Sequence, residues 1–142
     1  MKLNSALFIQ NHVIRGMEKK IINTKNAPAP IGPYNQAILV NGTLYISGQI
    51  CIDPANGNLK NRDIQDETHQ AMQNLKCILS EAGMSFDNVV KTTIFITDMN
   101  KFSEINEVYG KYFSGDFPAR ETVQVSALPK FTNVEISMIA VA

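Results

Sequence analysis

Arginine is scarce in this chain, and one arginine stands where its charge needs a partner. It occurs only at positions 15, 62 and 120, and Arg120 follows Phe117-Pro118-Ala119 at the start of an apolar, β-rich stretch. A planar guanidinium group can bind a carboxylate in bidentate fashion, with charge-assisted hydrogen bonds roughly twice as strong as neutral ones. Arg120 therefore either binds an anionic ligand or forms a structural ion pair with Glu121 or Glu135, and both interpretations stay open at this point.

Glu135 is the only charged residue in the stretch NVEISMIAVA, residues 133–142. An unpaired carboxylate in such a strand is costly, so Glu135 is expected to be paired, protonated or in contact with water. An apolar setting raises the pKa of a carboxyl group, which is the condition for proton transfer near neutral pH. The alternative is a structural salt bridge.

Weaker candidates lie near two predicted strands. Tyr34 follows Ile31-Gly32-Pro33, and Ser47-Gly48 stands at the end of a β-rich run, where the glycine can also mark a bulge. His69 lies on a predicted helix, where we expect a solvated side chain. The chain contains no HExxH, GxSxG, P-loop or Cys/His cluster, so metal, acyl-enzyme and nucleotide mechanisms lack sequence support.

Five strands and two helices are expected to position these residues. Asn41-Gly42 joins two β-rich runs and predicts a type I′ hairpin, and apolar residues from Ile64 to Ala82 recur at helical spacing until Gly83. The other predicted elements are a strand over residues 89–97, a helix from N-cap Asn100 to Gly115, and strands near 122–128 and 134–141. This order predicts an α+β fold with both helices covering one face of a single sheet in two layers. Because both phases of the last strand are mostly apolar, the second face also needs cover, which suggests oligomerisation.

Composition excludes several classes of protein. Thirteen basic residues balance thirteen acidic ones, which argues against nucleic acid as a partner, and 142 residues suit a single domain. No run approaches the ~18 apolar residues of a membrane span. The two cysteines, Cys51 and Cys77, are too few for a disulfide framework and suit the reducing conditions of the cytosol. We therefore expect both thiols to be free and the protein to be soluble and cytoplasmic.

Residues 1–16 differ from the remainder. They hold two basic residues and no acidic one, while the rest of the chain, residues 17–142, carries eleven basic residues against thirteen acidic ones. This extension is interpreted as extra translated sequence ahead of a start at Met17, as an organellar presequence, or as an ordered extension.

Five ordered motifs closely resemble the RidA/YjgF family of reactive-intermediate imine deaminases, also called the endoribonuclease L-PSP family. They are IGPYNQA, LYISGQI, VVKTTIFITDMNKFSEINEVY, FPARETVQV and LPKFTNVEISMIAVA, and the similarity runs from about Ile21 to the C-terminus. The resemblance implies a chorismate-mutase-like fold assembled as a homotrimer with its sites in clefts between subunits. It also implies hydrolysis of 2-imino acids, formed from enamines such as 2-aminoacrylate, to 2-oxo acids and ammonia without a cofactor or a metal.

The resemblance also implies a role for each matching position. Arg120 would hold the substrate carboxylate and Glu135 would orient or activate water, while Tyr34, Ser47, Gly48 and Asn106 would line the pocket. Thr122 stands where many relatives have cysteine; a role of its backbone carbonyl survives this change, whereas thiol chemistry does not. The alternatives are a non-catalytic trimer that binds small carboxylates or regulates, and a ribonuclease or translation inhibitor, which the missing basic patch disfavours.

Overall fold

The computed structural model describes residues 18–142, and the extension formed by residues 1–16 lies outside the described residues. Within the described part, six strands and two α-helices follow each other in the order βββαβαββ. Their bounds are β1 Lys19–Ile22, β2 Ala37–Val40, β3 Thr43–Gln49, α1 Ile64–Glu81, β4 Val89–Ile96, α2 Phe102–Gly110, β5 Ala119–Gln124 and β6 Val134–Val141. None of the described helices is long and apolar enough to cross a membrane.

The strands form one mixed sheet in the order β1-β2-β3-β6-β4-β5. Only the neighbours β4 and β5 are parallel. The hairpin between β2 and β3 is confirmed, since Asn41 and Gly42 have φ values of 49° and 76°. This topology places the last strand, β6, in the middle of the sheet, so that its residues contact elements from both halves of the chain.

The helices cover one face of this sheet, which confirms the two-layer α+β prediction. Helix α1 packs against β3 and β6, and α2 packs against α1. Along β6, every second side chain is at most 2% exposed, namely Val134, Ile136, Met138 and Ala140. Burying a valine, isoleucine or methionine side chain contributes about 1.5–3 kcal/mol, so the first three of these residues fix which face of β6 points inward. The alternate side chains, which include Glu135, point away from the helices and are only partly buried in a single copy.

Helix α1 has the predicted ends. The carboxylate of Asp63 accepts a hydrogen bond of 2.7 Å from the backbone N–H of Asp66, which satisfies a donor that the helix itself leaves free. After Glu81 the backbone turns through Gly83 with φ 73°, a conformation that suits glycine.

The second helix is shorter than the sequence predicted. Asn100 does not cap it: Met99–Lys101 form a 3₁₀ turn, and Asp98 accepts the hydrogen bond from the N–H of Asn100. The helix ends at Gly110 rather than Gly115. Tyr112 still packs its ring on Phe86 beyond that end, so the apolar spacing continues although the helical backbone has stopped.

Two strand predictions also need correction. Strand β5 begins at Ala119 rather than Thr122, because its parallel pairing with β4 starts at Lys91 opposite Ala119. Strand β1 was not predicted at all. It is a four-residue edge strand with only Ile22 buried, and its order comes from pairing with β2 rather than from its own pattern.

Candidate active site

Glu135 lies in a cavity at one end of the sheet, with a volume of about 320 Å³. Three segments form its walls: the connector over residues 26–33, the end of β3 with the residues that follow it, and the turn before β6. The lining residues are mostly apolar and comprise Pro28, Ala29, Ile31, Tyr34, Ser47, Gly48, Gln49, Ile50, Ile52, Pro129 and Glu135. The carboxyl group of Glu135 is the single ionisable acid or base in this lining apart from the phenol of Tyr34.

A bulge in β3 makes room for the Glu135 side chain. The pairing of β3 with β6 shifts between Ile46 and Gln49, which leaves Ser47 and Gly48 out of the regular ladder. A Cβ on Gly48 would lie 2.8 Å from Cδ and 3.0 Å from Cγ of Glu135. Glycine at this position is therefore what allows the carboxyl group to rest against the backbone of β3.

Partial burial changes the acidity of Glu135. Loss of contact with water disfavours the charged form, so burial raises the pKa of Glu135 above the ordinary value of a glutamic acid. No ion pair within 4.0 Å involves Glu135 among the described residues, so the structural salt bridge considered as the alternative is absent there. A carboxyl group with a raised pKa and no cation beside it is suited to take up and return a proton.

Tyr34 and Ser47 line the same cavity, and a hydrogen bond to the backbone holds each of their hydroxyl groups. The hydroxyl of Tyr34 accepts a hydrogen bond of 3.2 Å from the backbone N–H of Ile31, and the hydroxyl of Ser47 donates one of 2.6 Å to the carbonyl of Asn35. The structure therefore brings Tyr34, Ser47, Gly48 and Glu135 together around one cavity.

Arg120, on strand β5, forms a second cluster with side chains of helix α2. Its guanidinium group donates a hydrogen bond of 2.8 Å to the side-chain carbonyl of Asn106. The group also lies over the rings of Phe102 and Tyr109, with its central carbon 5.5 Å and 5.0 Å from their centroids. The hydroxyl of Tyr109 donates a hydrogen bond of 3.0 Å to the hydroxyl of Thr92 on β4, which holds the ring of Tyr109 in place. Stacking and one hydrogen bond orient Arg120 and leave donors free for an anion.

The structural ion pairs considered for Arg120 do not form. Glu121 points to the other face of β5 and pairs instead with Lys91 at 2.7 Å, and Glu135 lies two strands away. In the described part of the chain Arg120 has no carboxylate within 4.0 Å.

Thr122 lies on the same face of β5 as Arg120, two residues further along. Its hydroxyl is the one buried side-chain polar atom in the described part of the chain without a hydrogen-bond partner. A buried hydroxyl without a partner costs about 1–3 kcal/mol. No contact assigns this side chain a role in binding.

Arg120 and Glu135 lie on opposite faces of the sheet. Glu135 alternates with the buried Val134 and Ile136, so it points to the face that the helices leave open, whereas Arg120 contacts the helix on the covered face. Strand β4 lies between their strands, which adds a separation of about 10 Å. One small molecule the size of an amino acid therefore cannot contact both side chains of a single copy.

The sequence missed the aromatic residues that orient Arg120. Phe102, Asn106 and Tyr109 are spaced by four and three residues and share one face of α2. The polar Asn106 in this otherwise aromatic stripe was the available signal, since an amide on such a face needs a partner.

Two other side chains behave as the sequence predicted. His69 is exposed, and Nδ1 of its ring shares a hydrogen bond with the hydroxyl of Tyr112. Cys51 is free and fully buried, and burial together with the nearby Glu67 raises its pKa to about 12, so its thiol stays protonated. Within residues 18–142 no three His, Cys, Asp or Glu side chains cluster as a metal site requires.

Comparison with known proteins gives consistent matches over most of the chain. The profile of the family described as Endoribonuclease L-PSP matches residues 24–142. A Mus musculus protein named 2-iminobutanoate/2-iminopropanoate deaminase is 51% identical over 123 residues, covering 87% of this chain and 91% of its own. A solved Rid-family protein from Yersinia pestis is 53% identical with a TM-score of 0.86, covering 88% of this chain and 100% of its own. E. coli TdcF, solved with bound serine, is 42% identical with a TM-score of 0.84, covering 87% of this chain and 97% of its own.

Proposed function

The chain belongs to the endoribonuclease L-PSP family, the RidA/YjgF family, and on that premise we propose that Arg120 and Glu135 serve the hydrolysis of 2-imino acids. The protein is a 2-iminobutanoate/2-iminopropanoate deaminase that converts such imines to 2-oxo acids and ammonia. The observation that carries the proposal is the pair of half-sites: an oriented guanidinium group with free donors and a partly buried carboxyl group in an apolar cavity.

Arg120 binds the carboxylate of the imino acid. Asn106 uses only one of the five N–H donors of the guanidinium group, so the remaining donors can bind both carboxylate oxygens. The aromatic rings of Phe102 and Tyr109 limit how far the group can turn. This contact fixes the position of the adjacent C=N bond.

Glu135 moves the proton during hydrolysis. The ionised carboxylate accepts a proton from a water molecule while the water oxygen bonds to the imine carbon and the C=N π electrons move to nitrogen. The protonated carboxyl group returns this proton to the nitrogen, which gives a carbinolamine. The carboxylate then accepts the hydroxyl proton of the carbinolamine and passes it to the nitrogen as the C=O bond forms and the C–N bond breaks, giving the 2-oxo acid and ammonia. Because an imine is already electrophilic, positioning and proton transfer worth ~10²–10⁴-fold are sufficient.

We propose that each complete site contains Arg120 of one copy and Glu135 of another. The opposite faces of the two side chains in one copy support this arrangement, and so does the open face of the sheet. That face exposes the large side chains of Tyr45, Val123 and Val141 by 41–49% of their surface, and apolar side chains exposed together on one face are typical of an interaction surface. A homotrimer with a chorismate-mutase-like arrangement would cover this face and place three sites between copies.

The activity is tested by generating 2-iminopropanoate from alanine with an amino-acid oxidase and following its loss with and without the protein. We expect faster loss with the protein, and a large reduction for Arg120→Lys, because an ammonium group cannot reproduce the planar fork or its stacking. Unchanged decay in the presence of the folded protein would refute the function.

The shared site is tested by mixing two inactive variants, Arg120→Ala and Glu135→Gln, after dissociation and reassembly. Random mixing at equal amounts restores both native residues in about one quarter of the sites between copies. We therefore expect about a quarter of the wild-type activity in the mixture and background activity in each variant alone. Background activity in a mixture shown by mass spectrometry to contain mixed trimers would contradict the shared site.

We also propose a cytoplasmic location, which the two free cysteines support. Intact-mass measurement of the protein from its native cell distinguishes a chain that begins at Met1 from one that begins at Met17 or is processed.

A further inference from the structure

Gln36 is a buried amide whose hydrogen bonds all go to one segment of backbone. Its side chain belongs to a residue that is 2% exposed. Its nitrogen donates to the carbonyls of Thr24 and Pro28 at 2.9 Å and of Ala27 at 3.3 Å, and its oxygen accepts from the N–H of Thr24 at 2.8 Å. The amide thus replaces the strand or helix partners that this irregular segment lacks.

The segment that Gln36 holds forms a wall of the Glu135 cavity. Pro28 and Ala29 line the cavity, and Ala27 is only 3% exposed. The backbone carbonyl of Gln36 also accepts a hydrogen bond of 2.9 Å from the N–H of Ser47, another residue of the lining. One residue therefore joins two segments of the cavity wall, the connector and the end of β3.

We propose that Gln36 is a positioning residue of the deaminase, which keeps the Pro28–Ala29 wall closed over the carboxyl group of Glu135 and so excludes bulk water from the reacting imine. This inference rests on the proposed function. Gln36 touches neither substrate nor Glu135 and acts through the wall.

A loosened wall has a specific consequence for Glu135. Burial is the cause of the raised pKa of this carboxyl group, and the cavity walls supply part of that burial. When the wall opens, water reaches the carboxylate and the pKa falls toward its ordinary value. A role confined to general stability would not move this titration.

The test compares Gln36→Met with the wild-type protein in the imine assay over a range of pH. Methionine keeps the length and apolar packing of the side chain and removes its amide bonds. We expect KM to rise and kcat/KM to fall by about 10-fold to 100-fold, which is the size of loss that a misplacement of about 1 Å causes. The acid limb of the pH profile should move to lower pH.

Asn88→Ala is the matched control. The Asn88 amide also bonds backbone groups, donating to the carbonyl of Val141 and accepting from the N–H of Ser85, both at 3.0 Å. These bonds lie at the far end of β6, about 20 Å along the strand from Glu135. The control should lose stability but keep the wild-type KM and acid limb.

The outcomes separate this inference from the proposed function. No turnover by the wild-type protein refutes the function itself. If the wild-type protein turns over the imine and folded Gln36→Met has the same KM and acid limb as the wild type, Gln36 does not have this role. The role is also overturned if Asn88→Ala changes KM and the acid limb as much as Gln36→Met does. If Gln36→Met does not fold, Pro28→Gly loosens the same wall and leaves the buried amide in place. It should raise KM and shift the acid limb in the same direction, and wild-type values in Pro28→Gly overturn the inference.

Discussion

A single methyl group added at Gly48 should disable the enzyme without unfolding it. The Cβ of Gly48→Ala would overlap Oε1 of Glu135 and would lie 2.8 Å from its Cδ, where ordinary contact begins at 3.4 Å. Cδ must therefore move by at least ~0.6 Å and Oε1 by about twice as much, and misplacement of about 1 Å costs up to 10²-fold in rate. We expect kcat/KM to fall by about 10-fold to 100-fold.

The stability of Gly48→Ala should change little. Gly48 has no left-handed φ, so an alanine backbone fits there, and the clashing atoms belong to the end of a side chain that can rotate. We expect the free energy of unfolding to change by about 1 kcal/mol or less. The measurements are imine turnover, a denaturant titration and the mass of the assembly.

Gly110→Ala is the matched control for this substitution. No heavy atom lies within 4 Å of its added Cβ, and an alanine at the end of α2 favours the helix. It should retain wild-type kinetics. A folded and assembled Gly48→Ala with the wild-type kcat/KM would refute the reasoning.

A second substitution tests whether the clash with Glu135 causes the loss. Glu135→Asp withdraws the carboxyl group by one methylene, so alanine at position 48 has less to displace. The double variant should therefore lose less than the product of the two single losses, with a coupling energy of about 0.5–3 kcal/mol. Independent losses that simply multiply would show that Gly48 acts by another route.

Three further predictions concern single side chains. Glu135→Gln should lower kcat by about 10²–10⁴-fold. Because burial raises the pKa of Glu135, the folded wild-type protein loses stability as the pH rises through that pKa, so the gain in Tm of the variant over the wild type should be larger at pH 8 than at pH 4. A gain in Tm that does not depend on pH would contradict this. Thr122→Val should raise the free energy of unfolding by about 1 kcal/mol in denaturant titrations, because its buried hydroxyl has no partner; a decrease would reveal a partner in the assembly. Phe131→Gly should stabilise by about 1 kcal/mol, because Phe131 has φ 55° and an 89% exposed ring; lower stability would mean that the ring packs between copies.

Local patterns in the sequence determined most of the secondary structure. Asn41-Gly42 specifies the hairpin and Gly83 the end of α1, because the backbone angles that these residues adopt readily are needed only at such turns. The ends of α2 and β5 and the existence of β1 were not predictable in this way. They depend on Asp98 capping an extra turn and on pairing between strands distant in sequence.

The sequence by itself also singled out Arg120 and Glu135, since a charge isolated among apolar residues needs a partner. Only the tertiary structure decided what those partners are. The order of strands β3, β6, β4 and β5 places Gly48 against Glu135 and lets Glu121 form an ion pair with Lys91. It also places Arg120 where it can donate a hydrogen bond to Asn106. The alternation of side chains along a strand is a local property, and it assigns each side chain to one of the two faces of the sheet. Which strand pairs with which depends instead on contacts between residues that are distant in the sequence. That non-local pairing places the two charges on opposite faces of one sheet.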